Sequence, residues 1–91
     1  MTLPEPLEED DKIYVVAATF SLAQHIKEEI KKLRGEEFAK HVRPYGVDML
    51  CNLRGVDPLS IFFEHTAYEQ ATVKQYREIC MIESLQQDIW S

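Results

Sequence analysis

Residues 13–35 read Ile-Tyr-Val-Val-Ala-Ala-Thr-Phe-Ser-Leu-Ala-Gln-His-Ile-Lys-Glu-Glu-Ile-Lys-Lys-Leu-Arg-Gly, and the fold class turns on where in this stretch a helix begins. Val15, Thr19, Leu22, Ile26, Ile30 and Leu33 recur every three or four residues, with Ala23 beside them, which lays one apolar stripe along a helix. Glu28 and Lys32 form an i,i+4 pair in the favoured order on the opposite side, near His25. Gly35 supplies the left-handed residue after the last turn. Asp10 or Asp11 offers a carboxylate cap for a helix that takes in the whole stretch. The rival reading starts from Ile13, Tyr14, Val15 and Val16, all good strand formers, and from Ser21 and Gln24, a capping box for a helix beginning only at residue 22.

After Gly35 the pattern breaks into shorter pieces. A short helix fits residues 36–42, stopped by the bias against α conformation before Pro44. Residues 47–54 fit either two helical turns ended by Gly55 or a short strand. Asp57-Pro58 is a helix start, with Asp as cap and Pro at the first helical position, where its missing N–H is no loss. Thr66 and Glu69 can cap a restart, so residues 58–65 and 67–89 read as two helices or one bent one. On the second, Tyr68, Ala71, Tyr76, Ile79, Ile82, Ile89 and Trp90 share one face.

These readings predict a mainly α domain: a small helical bundle with two long amphipathic helices and shorter connecting ones. The alternative is an α+β fold with short strands at 13–18 and 47–53. The expected core is Val15, Leu22, Ile26, Ile30, Leu33, Tyr76, Ile79 and Ile82.

Ninety-one residues make one domain, here 12–91, preceded by an acidic tail at 1–11. The tail holds five acids and no base, so it accounts for −5 of the net charge of −6. The remainder is nearly neutral, which removes the acidic folded surface that a nucleic-acid mimic would need. No run of about 20 apolar residues is present, so no membrane span is expected. The acidic N-terminus lacks the positive charge of a secretory or mitochondrial leader, which points to the cytoplasm.

Chemistry finds little foothold. His25, His41, His65, Cys51 and Cys80 contain no ligand pair two to four residues apart, so no metal site is expected. Cys51 and Cys80 read as buried free thiols, and His25 as solvated. No phosphate-binding glycine loop or nucleophile elbow appears, so neither a cofactor nor catalytic residues are expected. Seven Lys or Arg between residues 27 and 54 are interleaved with five acids, a mixed face rather than a phosphate-binding stripe.

What stands out is apolar. Phe62 and Phe63 lie in a stretch too hydrophobic for a single helix contact to cover, Met81 falls on the polar side of its helix, and Trp90 lies on the apolar face of the same helix. Aromatic and methionine side chains are enriched in interface cores. The expectation is a non-enzymatic protein–protein interaction module, a regulator or assembly subunit, binding a protein partner or forming a dimer through Phe62, Phe63, Met81 and Trp90. A small helical nucleic-acid-binding regulator is the alternative.

Overall fold

The computed structural model describes residues 11–90, with side chains through position 87. The tail assigned to 1–11 therefore falls, except for Asp11, outside the described residues. Strand β1 (Ile13–Ala17) is followed by helix α1 (Phe20–Arg34), the short helix α2 (Glu36–Ala39) and strand β2 (Val42–Gly46). A 3₁₀ segment (Val47–Leu53) and a 3₁₀ turn (Pro58–Ser60) lead into strand β3 (Ile61–Phe63), and helices α3 (His65–Gln70) and α4 (Val73–Trp90) complete the chain. The three strands are parallel, in the order β2–β1–β3.

The helical-bundle expectation is thus overturned: the chain is a mixed α+β fold around a parallel sheet. Residues 13–17 are the central strand and do not extend the first helix. A strand covered on both faces buries consecutive side chains, so it shows an unbroken apolar run instead of alternation. Ile13, Val15, Val16 and Ala17 are all buried. The stripe through Val15 and Thr19 into Leu22 joined two elements by coincidence of spacing. Thr19 is where they part: its backbone is extended, and its hydroxyl accepts the Leu22 N–H at 3.1 Å as the cap of α1. The Ser21/Gln24 capping box does not form.

The second strand of the α+β alternative is also displaced. It runs over 42–46 instead of 47–53, and the latter is 3₁₀ helix. Its apolar residues Val47, Leu50 and Leu53 repeat every three positions and are all buried, as one edge of a three-residue-per-turn helix requires. The helix foreseen from Pro58 to His65 stops after one 3₁₀ turn, because Ile61, Phe62 and Phe63 enter the sheet beside Tyr14, Val15 and Val16.

Register divides the core in two. Ile13, Val15, Val42 and Ile30 form one cluster, packed with Ile26, Phe38 and Phe62 between the sheet and α1. Val16, Val47, Leu50, Leu53, Ile61, Ala67 and Ile79 form the other, between the sheet and the 3₁₀ segment, α3 and α4. Of the expected core, Val15, Ile30 and Ile79 are buried, while Leu33 is 81% and Tyr76 48% exposed. α1 meets the sheet through Ile26 and Ile30, and Leu33 has passed beyond its edge.

Both sheet edges are blunted. The Ile13 N–H donates to His41 O at 2.9 Å; the parallel alternation that follows turns the amides of 43 and 45 toward β1 and leaves position 44 on the outside. Pro44 therefore sacrifices no ladder bond. On the other edge Ile61 N–H donates to Pro58 O, and Ile61 O accepts from Gln86 Nε2 at 2.9 Å.

Candidate functional site

An apolar concavity lies between α4 and the 3₁₀ segment. Buried Leu50, Leu53 and Ile61 form its floor, and Met81, Ile82 and Leu85 of α4 form one wall. Its volume is about 370 Å³, within the range of concave sites that hold a compact apolar group or a few side chains. Polar atoms are confined to the rim, where Arg54 Nη2 stands 4.0 Å from Glu78 Oε1 across the mouth.

The groove exists because α4 is held at its margins and left open along one side. Thr72 and Gln75 start the helix with a reciprocal capping box: the Thr72 hydroxyl accepts the Gln75 N–H at 3.2 Å, and Gln75 Oε1 accepts the Thr72 N–H at 2.9 Å. Ile79 is fully buried against the sheet. Further along, Gln86 Nε2 donates to Pro58 O at 2.7 Å as well as to Ile61 O, tying the helix to the start of β3. On the far side Tyr68 donates its hydroxyl to Glu83 at 2.9 Å. Burial first, then the bond to Glu83, pushes the Tyr68 pKa up to about 12. Between these ties Met81 remains 63% and Leu85 47% exposed.

The four residues expected to meet a partner do not form one surface. Met81 is on the groove. Phe62 and Phe63 are half-buried neighbours on β3, so their side chains go to opposite faces, Phe62 to the α1 cluster and Phe63 to the α4 cluster. Trp90 ends α4, and its side chain lies outside the described residues. Leu85 was missed, although it follows Met81 by four positions. Leu50 and Leu53 were missed because a 3₁₀ period was not considered.

A second region sits beyond the carboxyl ends of the strands, where the order β2–β1–β3 reverses direction and where parallel sheets commonly take ligands. The Thr66 hydroxyl accepts the Ala18 N–H at 3.1 Å and donates to Glu64, whose carboxylate also accepts the Thr66 N–H at 3.2 Å and lies 2.5 Å from His65 Nδ1. The Asp48 carboxylate lies beside Gly46, near the start of α1. The side chains bonded together here include the Glu64 carboxylate and no lysine or arginine. Among the described residues no three His, Cys, Asp or Glu side chains are grouped to hold a metal ion.

The other residues singled out in the sequence are dispersed. His25 is exposed beside Glu29, and His41 Nδ1 lies 2.7 Å from Asp11 O. Cys51 and Cys80, expected to be buried, are both exposed. In the basic stretch Lys31 pairs with Glu36, Lys32 with Glu29 and Lys40 with Glu37. The last pairing, at 2.9 Å, raises the Lys40 pKa above its ordinary value. No helix among the described residues is long and apolar enough to cross a membrane. Comparison with protein-family models, curated proteins and solved structures finds no match.

Proposed function

We propose that this protein is a non-enzymatic protein–protein interaction module, a regulator or assembly subunit of the cytoplasm, whose contact surface is the groove between α4 and the 3₁₀ segment. The supporting observation is the joining of exposed Met81 and Leu85 to a concave apolar floor, with charge restricted to the rim. An isolated exposed leucine needs no explanation, whereas a continuous apolar hollow that exposes a methionine and a leucine does. Central apolar anchors inside a polar rim are the arrangement in which interfaces concentrate their binding energy.

Leu33 provides an internal control, because it is the more exposed residue but lies on α1 and does not line this groove. A photoreactive amino acid placed at position 85 should give discrete protein adducts in cells of the native host, and the same group at position 33 should not. Equal labelling at both positions, or none at 85, would remove the support for this reading.

A further inference from the structure

We infer that the occupant of the groove is an acidic amphipathic helix of a partner protein. This rests on the interaction-module reading above and adds the chemistry of the partner. Lys74, Glu78, Met81, Ile82 and Leu85 fall at spacings of four, three, one and three, which places them along one side of α4. Lys74 is thus one turn N-terminal of the groove wall, and Arg77 lies four residues before Met81. Both are exposed, and neither has an ion-pair or hydrogen-bond partner among the described residues. Arg54, 77% exposed, lines the groove and stands against Glu78.

At the Glu78 end of the groove, Lys74 and Arg77 of α4 stand beside the Arg54–Glu78 pair that lines it. The next acid along α4, Glu83, is bound to Tyr68. The two cations Lys74 and Arg77 stand on a chain whose net charge is −6, of which −5 belongs to residues 1–11. This end of the groove thus favours a partner carrying negative charge, which would set its orientation.

A helix fits better than an added strand. The outer edge of β2 carries Pro44, and β3 is three residues long with both backbone groups of Ile61 already bonded. Strand addition has almost no ladder to extend. The wall from Glu78 to Leu85 spans about 10 Å at 1.5 Å per residue, roughly two helical turns. It can receive apolar side chains spaced i, i+4 and i+7 on a docked helix, with that helix's carboxylates reaching Lys74, Arg77 and Arg54.

The test uses two fluorescein-labelled synthetic helical peptides with leucines at i, i+3, i+4 and i+7, one with glutamate and one with lysine at the remaining positions. Fluorescence anisotropy against the full chain should show the glutamate peptide binding about tenfold more tightly, given the usual worth of a few rim charge pairs, with the preference shrinking at about 0.5 M salt. Lys74→Glu with Arg77→Glu should reverse the preference, and Leu85→Asp should weaken both peptides. All three positions are exposed, and unchanged circular dichroism would confirm that the variants fold. Equal or tighter binding of the lysine peptide, still lost in Leu85→Asp, would overturn the acidic partner while leaving the interaction module standing. Self-association abolished by Leu85→Asp, without peptide binding, would replace the helix by a second copy. Binding that ignores Leu85→Asp, or no binding and no self-association, would overturn both readings.

Discussion

A methyl group on Gly46 would stand 2.7 Å from Asp48 Oδ1 and 2.8 Å from the amide nitrogen of Phe20. The carboxylate can swing away, but the backbone nitrogen belongs to the first turn of α1 and cannot. Gly46 is therefore the point at which the end of β2 passes the start of α1, and its lack of a side chain sets the spacing of the whole βαβ unit. Gly46→Ala should destabilise by about 1–3 kcal/mol, the usual cost of overpacking, and lower the thermal midpoint by at least about 4 °C. A midpoint unchanged within error would show that the two elements part easily. Tyr68 tests the packing of α3 against α4 in another way. Its pKa is raised from 10.0 to about 12, so the folded state favours the protonated phenol. The stability this contributes is complete below about pH 10 and disappears as pH rises toward about 12. Urea titrations of wild type and Tyr68→Phe should differ by about 0.5–1.5 kcal/mol at neutral pH, as for one hydrogen bond, and converge across that alkaline window. A difference that stays constant to pH 12 would mean that the Tyr68 phenol is neither desolvated nor held by Glu83 in solution.

Among the elements, some were written plainly in the chain and others were hidden by ambiguous spacing. The lower part of α1 and its stop at Gly35, where φ is +94°, follow from the stripe and the glycine. Residues 13–17 did not, because a strand buried on both faces and the start of an amphipathic helix present the same apolar run. Thr72 and Gln75 spell out the start of α4, yet Thr66 and Glu69 offer the same signature, and only tertiary contacts decide that Glu64 caps α3. The groove was half visible. Met81 stood out as a large apolar residue on a polar side, but its neighbours Leu50 and Leu53 come from a 3₁₀ segment that sequence periodicity treats as noise. Phe62 and Phe63 drew attention as adjacent aromatics, and adjacency is what a strand uses to feed two faces. The boundary between β1 and α1 can be tested directly. Thr19→Ala should cost about 1 kcal/mol through loss of its cap, whereas Ser21→Ala should stay within about 0.5 kcal/mol, as at an ordinary surface site. The opposite ranking would move the helix start to residue 22.

For the molecule as a whole, a radius of gyration of 12.8 Å is reached by folding α1 and α4 onto opposite faces of one small sheet. The helix that the sequence seemed to extend from residue 11 to 34 would have been about 36 Å long, the same as the largest dimension of the molecule, 36 Å. Its first third instead forms the central strand, which supplies the surface on which both helices pack. The α1 face is closed by Phe38 and Phe62, while the α4 face is left with a hollow beside Met81 and Leu85. One side of the sheet is finished by the chain itself, and the proposed partner would finish the other. Methyl-resolved NMR of protein labelled at its Met and Leu methyls, titrated with the partner recovered by cross-linking at position 85, tests it most directly. The expected result is displacement of the Leu50, Leu53, Met81 and Leu85 methyl signals with Leu33 unmoved. Movement at Leu33 while Met81 and Leu85 stay in place would contradict it.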